Sequence, residues 1–151
     1  MDIRRSDLSE PEVVELIALH TREMFEGSPP GTNHALDLSG LQGPDMEVYA
    51  AWNGAALLAI GAIKRHEGFA EIKSMRAHPD ARRTGAGRAI LSHLIERARE
   101  LGLAEIKLET GSGPLFEPAT ALYRSFGFEP CGDFAGYKAG EFNKLFALGL
   151  A

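Results

Sequence analysis

The segment Arg82-Arg83-Thr84-Gly85-Ala86-Gly87-Arg88 constrains the fold more than any other stretch of the chain. An apolar run from Ala70 to His78, stopped by Pro79, precedes it. After it, Ile90, Leu91, Leu94, Ile95, Ala98 and Leu101 recur at helical spacing, which predicts a helix over Gly85 to Leu101. A strand, a glycine-bearing basic loop and a helix in that order form a place where main chain can close on an anion. The first turn of a helix has unpaired amides and the positive end of the dipole, and glycines let the backbone approach a pyrophosphate. A Walker loop is excluded, because the chain has no Gly-Lys pair. A Rossmann fingerprint is excluded as well, because Ile90 holds the third glycine place and the first βα unit lies elsewhere. The plain alternative is a glycine-containing helix start with solvated arginines.

Charge distribution supports the anion site. The net charge is −5. Residues 1–50 balance at −7, residues 51–100 at +4 and residues 101–151 at −2. A basic middle in an acidic chain localises the anion, while the overall sign argues against nucleic acid as a partner. At 151 residues with 44% hydrophobic side chains, the chain is expected to be one domain, 1–151, with a core that needs no disulfide. Cys131 is the single cysteine, which suits a reducing compartment, and no apolar leader is visible at the N-terminus. The longest run free of charged or strongly polar residues, Ala55 to Ile63, is too short to span a bilayer, so no membrane partner is expected. These features predict a cytoplasmic protein.

The remaining elements follow from pattern. Ile3 to Arg5 reads as a first strand. Ser9-Glu10-Pro11-Glu12 reads as a capping box opening a helix from Glu10 to Phe25. Residues 28–45, with three prolines and three glycines, read as a long loop. Glu47 to Trp52 and Ala56 to Lys64 flank Asn53-Gly54, a hairpin signal. Glu105 to Thr110 is a strand, Glu117 to Phe126 a short helix closed by Gly127, and Asn143 to Leu150 a last strand. The order β-α-ββ-β-α-β-α-β-β predicts an α/β fold with a mixed, mostly antiparallel sheet of about seven strands and helices on both faces. The last strand ends in Leu145, Phe146, Leu148 and Leu150, too apolar for a free edge, which suggests a homodimer covering it.

Arg82-x-x-Gly85-x-Gly87 after a strand resembles the Gln/Arg-x-x-Gly-x-Gly/Ala signature of the GCN5-related N-acetyltransferases, the GNAT family, in its bacterial small-molecule type. Ala119-x-x-Leu122-Tyr123-x-x-x-Gly127-Phe128 is similar to the family's later motif, and the element order agrees along nearly the whole chain. Where many relatives carry Asn three residues before Ala119, this chain has Phe116.

The resemblance implies acetyl-CoA as co-substrate. Its pyrophosphate would be held by Arg82, Arg83, Thr84, Gly85, Ala86, Gly87 and Arg88, and its pantetheine would lie along the strand edge at Met75, Arg76 and Ala77. It implies Tyr123 as a hydrogen-bond donor to the leaving thiolate. A phenol near pKa 10 and a thiol near 8.5 make full proton transfer uphill by roughly 2 kcal/mol. Glu71, eleven residues before Arg82, resembles the catalytic glutamate of the histone-acetylating branch. Its alternative is a simple pair with Lys73, with Glu109 in reserve as base. Pro30, His34 and Asp37 lie in the loop where relatives form the acceptor wall, and the acidic N-terminal third would steer a cationic acceptor. The five histidines show no metal-ligand spacing, so no metal is expected. The function implied is acetyl transfer to a primary amine of a small molecule. The alternative is a non-catalytic acyl-CoA-binding sensor or scaffold.

Overall fold

The computed structural model describes residues 1–32 and 37–150. Its seven strands are β1 (Asp2–Ser6), β2 (Met46–Asn53), β3 (Ala56–Arg65), β4 (Phe69–Ala77), β5 (Glu105–Thr110), β6 (Glu129–Pro130) and β7 (Lys144–Gly149). Its helices are α1 (Pro11–Glu26), α2 (Ala86–Glu100) and α3 (Glu117–Ser125). The strands form one sheet in the order β1-β2-β3-β4-β5-β7-β6, antiparallel except for the β4–β5 pair. Each face has its own core. Val13, Leu16 and Ile17 of α1 pack on Val48, Ala50, Ile60 and Ala62. On the other face, Ile90, Leu91, Leu94 and Ile95 of α2 pack with Ile72, Ile106 and Leu108, and Tyr123 of α3 joins them.

The two later helices end as their glycines predict. In α2, Gly102 donates to the Arg99 carbonyl and Leu103 to that of Ala98; in α3, Gly127 donates to Arg124 and Phe128 to Tyr123. Both are Schellman closures. Gly127 has φ +96°, a conformation that strains a side-chain-bearing residue, so the glycine is what lets α3 stop there.

Three expectations are corrected. The capping box does not form: α1 starts at Pro11 with Glu10 at the N-cap, and no side chain caps it. The Ser9 hydroxyl turns to Asp7, and Glu10 accepts from Ser6 instead. The β2–β3 turn is shifted by one residue, with Asn53 opposite Ala56 and Gly54 at φ +59°. The last strand is not an edge, because β7 lies between β5 and β6. Its apolar side chains are covered within the chain, and the premise for a homodimer disappears. The actual edges are β1, which carries Arg4 and Arg5, and the two-residue β6, which contains Pro130. Both are poor templates for adding a strand.

One irregularity shapes the site. Ile60 pairs with Arg76 but Ala62 pairs with Lys73, so β4 carries one extra residue opposite Gly61. Ser74 takes up the bulge at φ +54°. β4 runs beside β5 only over Phe69, Ala70 and Glu71; beyond Glu71 no described strand pairs with its β5-facing edge. The two strands part and leave a cleft.

Candidate active site

The cleft opens into a cavity of about 790 Å³ bounded by the far half of β4, the 81–88 loop, the end of β5 and the start of α3, with His20 and Met24 of α1 on its far wall. At one end lies the start of α2. Gly85 is its N-cap at φ +85°, and the first ladder bond runs from Ala89 N–H to the Gly85 carbonyl at 3.0 Å. The amides of Ala86, Gly87 and Arg88 are therefore free of helical partners. Arg83 also has positive φ, at 66°, and Thr84 is fastened by its hydroxyl to the Ala81 carbonyl at 2.6 Å. A Cβ at Gly87 would meet only Leu122 Cδ2, at 3.8 Å. These residues fit a pyrophosphate. Arg82 and Arg83 are exposed, whereas Arg88 donates to Ser125 Oγ at 3.0 Å and lies 4.8 Å from the Phe126 ring, bracing α2 against α3.

Met75, Arg76 and Ala77 line the cavity along the open edge of β4, where backbone donors and acceptors face no strand. An extended amide chain such as pantetheine could pair there. The Arg76 side chain turns to α1. Its Nη2 meets both oxygens of Glu23 at 2.8 and 2.9 Å, while Nε donates to the Ala77 carbonyl at 3.1 Å. His20 is buried beside this pair, and its Nδ1 has no partner. Burial, aided by the Arg76 charge, depresses its pKa to about 4, so it is neutral at pH 7.

Tyr123 and Glu71 both line the cavity. The Gly127 closure pins the Tyr123 carbonyl, and the Phe128 ring stands edge-on to the Tyr123 ring at 5.7 Å. Burial alone raises the Tyr123 phenol far above its ordinary pKa, so the group remains protonated. Glu71 is 2% exposed. It accepts from Lys73 Nζ at 3.1 Å, and its other oxygen lies 2.9 Å from His66 Nε2. Lys73 also donates to the Tyr137 hydroxyl at 2.5 Å. The pair with Lys73 thus forms, and it forms at the cavity wall. Glu109 lines the same cavity and accepts from Asn143 at 2.7 Å, and Asn143 also donates to the Thr32 carbonyl at 3.0 Å.

The expected acceptor wall is only partly met. Pro30 is exposed and does not line the cavity; Ser28 and Thr32 of that loop do. Asp37 accepts from the Gly40 amide and the Ser39 hydroxyl, closing a 3-10 turn over Gly40–Gln42, and these bonds lower its pKa. His34 lies outside the described residues. Phe116 is 8% exposed, lines the cavity and meets the Phe142 ring edge-on at 5.4 Å. No sequence pattern marks Glu23, His66, Tyr137 or Asn143 as part of the site. Arg76 and Glu23 are 53 positions apart and Lys73 and Tyr137 are 64, so no local pattern joins them. Among the described residues, no group of three His, Cys, Asp or Glu side chains could hold a metal, and no helix is long and apolar enough to cross a membrane.

The chain is similar in sequence and fold to known proteins. The sequence profile of the Acetyltransferase (GNAT) family matches residues 13–128. The chain is 43% identical over 141 residues to the uncharacterized N-acetyltransferase YsnE of Bacillus subtilis, covering 91% of each chain. It is 34% identical to the IAA acetyltransferase of Azospirillum brasilense, covering 89% of this chain and 88% of that one. A Klebsiella pneumoniae crystal structure assigned as an acyl-CoA N-acyltransferase superposes with a TM-score of 0.81 at 26% identity, covering 99% of this chain and 97% of that one. With its open cleft between β4 and β5 and its glycine-led start of α2, the chain belongs to the GNAT family of acetyltransferases.

Proposed function

We propose that this acetyltransferase moves an acetyl group from acetyl-CoA directly to a primary amine of a small molecule, with both substrates bound at once. One observation carries the reading: a single cavity is lined by the glycine-led start of α2, the open edge of β4, and both Tyr123 and Glu71. The 82–88 loop, with the amides of Ala86, Gly87 and Arg88 that have no helical partner, would hold the pyrophosphate, and Met75, Arg76 and Ala77 the pantetheine. The thioester supplies an acyl group that is already activated. The chain's work is to align the reactants, take a proton from the amine and steady the leaving sulfur.

Tyr123 suits the last task because burial keeps its phenol protonated, giving a donor at every working pH. Glu71 suits the second because it is a carboxylate at the cavity wall, with Glu109 as the other carboxylate in reach of the cavity. His20, Arg76 and Thr32 put polar groups on the cavity wall beside Met24, with Glu23 paired to Arg76, and these groups suit a small polar acceptor. One chain supplies every residue this reading uses, so no second subunit is needed. A cytoplasmic setting fits the lone Cys131, which has no partner in the chain.

The test is acetyl-CoA turnover across a panel of polyamines, arylalkylamines, amino acids and aminosugars, read as free thiol and as N-acetyl product mass. Product from at least one amine is expected. Tight acetyl-CoA binding with no product from any class would favour the sensor reading.

A further inference from the structure

Both oxygens of the Glu71 carboxylate are engaged by protein; the Tyr137 hydroxyl also bonds to it, and its other two partners lie in different places. Lys73, at 3.1 Å, lines the cavity as Glu71 does. His66, with Nε2 at 2.9 Å, does not line it. The His66 side chain is 20% exposed against 2% for Glu71, so the imidazole joins a buried carboxylate to solvent on the side away from the cavity.

The ring is held firmly. It stacks on Phe69 with centroids 4.5 Å apart and planes within 7°, and the His66 amide donates to the Phe69 carbonyl at 2.9 Å across the β3–β4 turn. The Phe69 ring is itself fixed edge-on by Phe134 at 5.8 Å and lies 4.8 Å from Lys107 Nζ.

Proton accounting gives this placement a use. Acetylating an ammonium by a thioester releases two protons from nitrogen. One ends on the coenzyme thiol and the other must leave. A route behind Glu71 would carry that proton away from a cavity that acetyl-CoA and acceptor occupy. A lysine ammonium has no lone pair to accept a proton, so Lys73 cannot carry it, whereas an imidazole can.

We infer that His66 is a positioning and proton-transfer residue, which orients the Glu71 carboxylate and carries the acceptor's proton from it to solvent behind the cavity. The inference rests on Glu71 acting as base. The acceptor N–H bond breaks as an O–H bond forms on Glu71. That O–H then breaks as an N–H forms at His66 Nε2, with the ring in the tautomer that carries its proton on Nδ1; the Nδ1–H bond of the imidazolium breaks to give one proton to water, and exchange with water returns the ring to that tautomer. The carboxylate and the neutral ring are restored, and no electrons move between groups. The charged and titratable groups around the ring are Glu71 and Lys73 from β4, Lys107 of β5 beyond Phe69, and Tyr137, which reaches Lys73 from the segment after β6.

The experiment compares wild type, His66→Gln, His66→Ala and Glu71→Gln with acetyl-CoA and two probe acceptors, 2-phenylethylamine and spermine. Gln keeps an N–H donor for Glu71 but cannot take up a proton, so a purely structural role would survive it. The expectation is that His66→Gln loses turnover by about 10- to 100-fold with unchanged acetyl-CoA affinity and an altered acid limb of kcat/KM, and that added imidazole restores His66→Ala. Wild-type turnover and pH profile in His66→Gln, beside an impaired Glu71→Gln, would overturn the relay while leaving the base reading intact. A fully active Glu71→Gln would remove the base reading, and the relay with it. A second measurement needs no acceptor: nitrogen NMR of the His66 ring in the full chain. Its titration should move in Glu71→Gln, and an identical titration in both proteins overturns the pairing.

Discussion

Arg76 of β4 grips Glu23 of α1 through one nitrogen, Nη2, which lies 2.8 and 2.9 Å from the two carboxylate oxygens. The Arg76 side chain is 9% exposed and that of Glu23 28%, so the pair is largely withdrawn from water. It ties the far wall of the cavity to the one strand whose other edge is open. A withdrawn ion pair is not a strong source of net stability, but a charge left behind without its partner is costly.

Glu23→Ala should therefore destabilise the fold by about 2 kcal/mol, more than an exposed pair would. Replacing both residues, Arg76→Met with Glu23→Leu, should recover most of that loss. Urea unfolding of the two single variants and the double variant gives the coupling directly. Additive single effects would mean that the two side chains do not depend on each other.

Gly87 allows a clean test of the anion site. A Cβ there meets only an ordinary contact with Leu122, so a side chain can be added without forcing the chain to move. An acidic residue in the first turn also favours the helix by about 0.3–1 kcal/mol through the dipole. Gly87→Asp should accordingly keep or slightly raise the melting temperature while placing a negative charge where pyrophosphate is expected. Calorimetry should find acetyl-CoA affinity reduced at least 100-fold. Unchanged affinity in this folded variant would reject the assignment of residues 82–88.

His20 gives the protein an acid-sensitive element. Its folded pKa is about 4, mainly through burial and then through the Arg76 charge, against an ordinary value of 6.5. Between those values the unfolded chain binds a proton that the folded chain refuses, so stability falls as pH drops through this window and the effect vanishes above it. At pH 5 the loss from this group is about 2 kcal/mol relative to pH 7. His20→Leu should flatten the stability profile between pH 6.5 and 4, as read by denaturant unfolding at several pH values. A parallel profile in the variant would mean that the ring is protonated in the folded state.

What could be read from the sequence was local. The anion loop and its helix were legible because strand, glycines and helical periodicity adjoin within some thirty residues, from Ala70 to Leu101. The Gly127-Phe128 pair was legible because a helix closure acts over five positions, from Tyr123 to Phe128. The bulge that opens the cleft was not, because it is carried by Ser74, a residue type that does not advertise positive φ. The false capping box shows the converse: Asp7 takes both the amide and the hydroxyl of Ser9, which the box would have given to Glu12. The place of β7 between β5 and β6 was hidden too, since strand order in a sheet is a long-range property. The acceptor wall was legible as a loop but not by residue, because Arg76–Glu23 and Asn143–Thr32 join distant segments.

Tyr123 permits a separation of catalysis from stability. Its phenol is buried, burial is the sole influence on its raised pKa, and its hydroxyl makes no hydrogen bond to a described residue. Tyr123 lines the cavity and its hydroxyl holds no described protein group in place, so removing that oxygen should not weaken the fold. Tyr123→Phe should melt at the wild-type temperature or slightly above, because the ring and its edge-on contact with Phe128 are kept. If the hydroxyl assists the leaving thiolate, turnover should fall by about 10²- to 10⁴-fold, with little change in acetyl-CoA affinity. The factor should be the same across pH 6 to 10, about the ordinary tyrosine pKa, because the phenol stays protonated throughout. Pre-steady-state measurement of thiol release, with chemistry shown to limit the rate, decides the matter. Wild-type turnover in Tyr123→Phe would assign the residue to packing alone, and the leaving group would then be protonated from water.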